Sequence, residues 1–172
     1  ALGDGRLDAG ALGRIQRVQR LGRARNCMSF ELDRQFVDTN VLIYAYDRTA
    51  GNRYERAREL LAGLWQSRRG CLSVQVLQAF YVVATRKLAG VTPVHLRTIL
   101  ADLAPWRVHT PSTADVLAAV DLHQRYQTSF WDAMILQSAA RLGCTVVWSE
   151  DLNAGQVFGG VRVVNPFSTL QL

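Results

Sequence analysis

The chain has 172 residues, 49% of them apolar and 9% aromatic, the size and make-up of one globular domain that can bury its own core. No apolar run approaches the roughly 20 residues of a membrane span, and the N-terminus lacks the apolar centre of a secretory signal, so a cytosolic protein with no membrane partner is expected. The net charge of +6 is uneven: residues 1–27 hold six arginines against two acids, leaving only +2 for all that follows, which argues against an extended basic binding face.

In chain order, residues 1–27 are rich in Gly, Ala and Arg and the pattern changes at Met28. Leu12, Ile15, Val18 and Leu21 recur every three residues among the arginines, as in a basic RNA-contacting helix. The stripe is narrow, however, and a disordered or non-native leader is the expected reading, with residues 28–172 forming the folded domain. Gln35 to Asp38 reads as a strand and Val41 to Tyr46 as a short helix. Asn52 to Ser67 is an amphipathic helix with Ala57, Leu60, Leu61 and Leu64 inward. Cys71 to Ser73 is a short strand entering a helix from Val74 to about Leu88. Thr92 to Leu103 is a helix with Pro93 in its first turn, followed by a strand at Trp106 to His109. Ser112 to Gln124 is helical, capped by Thr113 or Ser112. Phe130 to Leu142 is a helix stopped by Gly143, and Thr145 to Trp148 and Val161 to Val164 complete the strands. Cys27, Cys71 and Cys144 have no paired spacing and form no zinc pattern with the three histidines, so reduced structural thiols are expected. Trp106, Phe130, Trp131 and Trp148 are expected in the core.

Strands and helices alternate, and the strand runs are continuously apolar, which indicates a mostly parallel sheet covered on both faces. Ligands of such folds sit at the carboxyl ends of the strands. Asp38 and Asp151 fall at predicted strand ends and Asp132 at a predicted helix start. Three carboxylates converging there suit a hard divalent cation, because Mg²⁺ takes oxygen ligands and keeps several waters. A cation so held neutralises charge building on a phosphodiester and lowers the pKa of a bound water, so a metal-dependent nuclease using Mg²⁺ or Mn²⁺ is the chemistry indicated. Asp38 also suits a helix cap, and Asp132 suits the helix dipole whatever its job. Glu150, beside Asp151, is an alternative ligand. Thr39 and Asn40 are placed to orient Asp38, and Ser129 or Thr128 to cap the Asp132 helix or touch a phosphate. Asp47, Asp102, Asp115 and Asp121 read as caps or solvated faces.

Over residues 35 to about 167 the chain resembles the PIN-domain family, and within it the VapC-type toxins of bacterial toxin-antitoxin pairs. The resemblance rests on Val37-Asp38-Thr39-Asn40 through Asp47, Ser73-Val74-Gln75-Val76-Leu77-Gln78, Ser129-Phe130-Trp131-Asp132-Ala133 and Ser149-Glu150-Asp151-Leu152, in that order and spacing. It implies a three-layer α/β/α sandwich, a homodimer, RNA cleavage with Mg²⁺ or Mn²⁺, and silencing by a cognate antitoxin whose tail occupies the acidic groove. It also implies four acids, of which Asp38, Asp132 and Asp151 match while Ala79 stands where the family has glutamate. An alanine supplies neither charge nor donor oxygen, so weaker metal affinity and slower cleavage are expected. Gln75, one turn earlier on the same helical face, offers only a neutral oxygen; Glu150 keeps a carboxylate near the site. The competing reading is a non-catalytic PIN module that binds RNA or an antitoxin without cutting.

Overall fold

The computed structural model describes residues 33–168; the leader expected at residues 1–27 lies outside them. Six strands form one sheet: β1 Arg34–Val37, β2 Gly70–Ser73, β3 Arg107–His109, β4 Cys144–Trp148, β5 Val157–Phe158 and β6 Val161–Val164. Their order is β3-β2-β1-β4-β6-β5. All pairings are parallel except β5 with β6. The helices are α1 Thr39–Tyr46, α2 Asn52–Ser67, α3 Val74–Lys87, α4 Pro93–Leu103, α5 Thr113–Tyr126 and α6 Phe130–Arg141.

The chain runs outward from β1 to β2 to β3 through α1 to α4, then returns across the sheet to β4 through α5 and α6. Parallel crossovers are right-handed, so reversing direction places α5 and α6 on the opposite face from α1 to α4. The result is the three-layer sandwich expected, with its reversal between β1 and β4. The strands are buried on both sides: Phe36, Val37, Cys71, Leu72, Val147 and Val163 are wholly inaccessible, which explains their unbroken apolar runs. α1 is nearly continuous apolar sequence because Val41, Leu42, Ile43 and Ala45 are all buried.

Helix starts follow local chemistry. Ser73 accepts from Val76 N at the start of α3 and Thr92 from His95 N at the start of α4, where Pro93 sits in the first turn. Ser112 and Asp115 form a reciprocal capping box on α5. Asp115 is no solvated side chain: only 3% exposed, it also receives Gln137 Nε2 at 3.1 Å and Arg141 Nε at 2.6 Å, tying α5 to α6. Two elements were not expected: the two-residue strand β5 and a 3₁₀ turn at Arg48–Ala50, which Asp47 caps. Trp131 departs from its expected place in the core and is 65% exposed, because the buried side chains of α6 begin at Ala133 and Trp131 lies in its first turn. Cys71 and Cys144 are buried free thiols, as expected; Cys27 lies outside the described residues. Among the described residues no helix is long and apolar enough to cross a membrane.

Candidate active site

β1 and β4 pair in parallel to their last residues, with Val37 opposite Trp148 and Asp38 N donating to Trp148 O at 3.0 Å. The two residues that follow, Asp38 and Ser149, therefore leave the sheet side by side at its reversal, where a crevice opens at the carboxyl ends of the strands. Ser149 Oγ donates to Asp38 Oδ2 at 2.7 Å and accepts from Asp151 N at 3.2 Å and Leu152 N at 3.3 Å. Asn40 closes the arrangement from α1: its Nδ2 lies 3.1 Å from Asp38 Oδ2 and 3.0 Å from Asp151 Oδ2. One amide group thus donates to two carboxylates that would otherwise repel each other.

Asp38 caps α1 by accepting from Thr39 N, so the capping role and the place in the acidic crevice coexist. Its carboxyl is 5% exposed. Burial pushes its pKa up to about 6; the Ser149 and Thr39 hydrogen bonds oppose this, and the negative charges of Asp151 and Asp132 add to it. Asp132 reaches the same crevice from the third position of α6, where Ser129 Oγ accepts from its backbone N at 3.0 Å. Thr128 Oγ1 stands 3.5 Å from Asp132 Oδ2. Asp132 and Asp151 line one depression of about 200 Å³.

Glu150 faces a different set of groups. Arg53 grips its Oε1 from Nε at 2.9 Å and Nη2 at 2.6 Å, and the same carboxylate pushes the Tyr44 phenol above its ordinary pKa. This ion pair engages Glu150 through Oε1. Ala79 lies on α3 one turn beyond Gln75, whose Nε2 sits 3.4 Å from Trp131 O at the start of α6. Gln75 Oε1 is buried with no hydrogen-bond partner, a neutral donor oxygen left open on the helical face that Ala79 shares.

Oxygen-only donors and a carboxyl whose burial disfavours its charge are the chemistry a hard divalent cation stabilises. Among the described residues, though, no three His, Cys, Asp or Glu side chains are gathered as they would be to hold one ion by direct contact. The donor types at Asp38, Asp132 and Asp151 fit such an ion, which keeps several waters of its own. Ser149 was missed by sequence reasoning; a serine between a strand end and two acids was the available signal. Nothing local in the sequence pointed to the Arg53–Glu150 pair.

No curated protein matches the sequence. Among solved structures, the fold is similar to that of Mycobacterium tuberculosis VapC20, a sarcin-ricin loop cleaving toxin, with TM-score 0.52 and 20% identity over 68% of this chain and 89% of that one. A toxin-antitoxin complex from Klebsiella pneumoniae gives TM-score 0.58 and 21% identity over 78% of this chain and 99% of that one. DNA-bound VapBC from Salmonella typhimurium gives 0.55 and 21% over 76% and 96%. At these identities the likeness speaks for the fold. The PIN domain family model matches residues 36–157, a stretch that runs from β1 into β5 and takes in all three acids, and the chain belongs to that family.

Proposed function

We propose that this chain is a VapC-type toxin: an endoribonuclease, dependent on Mg²⁺ or Mn²⁺ and weakened by Ala79, that acts in the cytoplasm and is silenced by an antitoxin. The observation that carries this reading is the delivery of Asp38, Asp132 and Asp151 from three separate elements to the sheet's reversal point, with Asn40 and Ser149 fixing two of them. Three carboxylates at one edge repel both each other and an RNA phosphate unless a cation joins them. When bound, the ion supplies charge neutralisation and an acidified water. The residues supply the rest: Asp38, Asp132 and Asp151 would hold the ion, and Ser149 and Asn40 hydrogen-bond to the Asp38 carboxylate and fix its orientation. Ala79 leaves α3 without an acid, and Glu150 stays with Arg53. Pairing as a homodimer belongs to the same reading and rests on the resemblance to VapC-type toxins.

A second reading, a PIN module that binds RNA or an antitoxin without cutting, is favoured by one observation: no three His, Cys, Asp or Glu side chains among the described residues are gathered as they would be to hold one ion by direct contact. RNA cleavage with Mn²⁺ separates the two. The Ala79→Glu variant should cut RNA at least about tenfold faster than the parent chain, and adding Asp38→Asn should abolish that activity. Absence of metal-dependent cleavage in both the parent and Ala79→Glu would leave the binding module as the function.

A further inference from the structure

The depression that Asp132 and Asp151 share extends away from them, between the α5–α6 connection and the turn entering β5. Tyr126 and the buried Phe158, packed edge to face with ring centroids 4.9 Å apart, close its inner end. Arg125 lies over the Tyr126 ring, its guanidinium 5.5 Å from the centroid. Opposite stand two amides, Asn153 and Gln156. Asn153 Nδ2 donates to Gln156 Oε1 at 3.3 Å, which leaves Asn153 Oδ1 as an acceptor and Gln156 Nε2 as a donor with no partner among the described residues. The turn that carries them is fixed to the sheet: Gly155 N donates to Val163 O and Val163 N to Gln156 O, both at 2.9 Å. Gly155 supplies the positive φ of 86° that this turn requires.

We infer that this depression is a base-reading subsite, seating one nucleobase of a single-stranded RNA next to the phosphate held at the acids. The inference rests on the ribonuclease reading and names what that site selects. A volume of about 200 Å³ is below that of pockets for drug-sized ligands and suits a single planar base. Phe158 is buried and Tyr126 half-buried, so a base here is held by its polar edge rather than by stacking on an open ring. An adjacent acceptor and donor on a fixed turn discriminate, because every base edge presents its own donor and acceptor pattern and unpaired bases expose it fully. Sharing Asp132 and Asp151 with the crevice sets the seated base beside the scissile phosphate, so its identity governs where the strand is cut.

Fluorescence anisotropy of labelled octamers tests this with the full chain in Mg²⁺, using octa-adenylate, octa-cytidylate, octa-uridylate and an alternating uridine-guanosine octamer, each checked on gels to be intact after the titration. The parent chain should prefer one octamer by at least about fivefold, the lower end of what one base-reading contact gives. The Asn153→Ala/Gln156→Ala variant should bring all four within about twofold of one another while still binding them. If circular dichroism shows that this variant is unfolded, Gln156→Glu replaces it: it exchanges a donor for an acceptor and should change which octamer is preferred. Binding without preference, or a preference that survives the substitutions, overturns the subsite and leaves the ribonuclease reading standing. No binding of any octamer by the parent chain or by its Ala79→Glu variant overturns both.

Discussion

Ser149 is the side chain on which the site turns. It is fully buried, and its hydroxyl joins Asp38 to the backbone of the turn that carries Asp151. Ser149→Ala leaves the Asp151 and Leu152 backbone donors without this partner and removes one of the hydrogen bonds to Asp38, which keeps those from Asn40 and Thr39; each buried group left unsatisfied costs about 1–3 kcal/mol. Urea unfolding should show a lower midpoint with an unchanged slope. Trp131 makes the opposite case. Two-thirds of its surface is exposed, so Trp131→Ala should change stability by no more than about 0.5 kcal/mol, whereas Phe36→Ala, in the centre of the sheet, should cost about 3–5 kcal/mol. Equal losses for the two would contradict their placement. The site was only partly legible at this scale. Asp38, Asp132 and Asp151 stood out because each ends an apolar run at an element boundary. The engagement of Glu150 by Arg53, 97 residues apart, left no local trace, since only folding makes those positions neighbours.

At the scale of elements, sequence and structure agree where periodicity is long or boundaries carry their own chemistry. α2 spans Asn52–Ser67 and β6 spans Val161–Val164 in both. β5 and the 3₁₀ turn escaped because two or three residues are too short to show a period. β2 contains a constraint that only the structure reveals. Trp106 lies against Gly70 so closely that a Cβ there would stand 2.3 Å from the indole ring. Gly70→Ala should therefore destabilise the fold by about 1–3 kcal/mol, and shortening the facing side chain with Trp106→Leu in the same chain should recover part of it; independent effects would contradict the contact. The link between α5 and α6 predicts a pH dependence. The Ser112 hydroxyl and backbone N–H, then Arg141 and Gln137, hold the Asp115 carboxyl below the usual aspartate pKa. A carboxylate of that kind stabilises the fold above its unfolded pKa of about 4 and loses its contribution as the pH falls below that value. Thermal unfolding from pH 7 down to pH 3 should show a smaller decline in Asp115→Asn than in the parent chain, from a lower starting Tm.

For the whole molecule, topology does what no single residue does. The chain order β3-β2-β1-β4-β6-β5 reverses between β1 and β4, so acids more than a hundred residues apart leave adjacent strands together. The third arrives on α6, and the base-reading depression opens between that helix and the turn after β4. The central claim is that Asp38, Asp132 and Asp151 serve one cation, with the acid missing at Ala79 setting its affinity. Mn²⁺ binding followed by electron paramagnetic resonance measures this without reference to RNA. The account predicts Mn²⁺ sites that include one lost in Asp38→Asn and in Asp151→Asn and tightened at least about tenfold in Ala79→Glu, where a fourth carboxylate joins. Mn²⁺ binding that is indifferent to all three substitutions would contradict it.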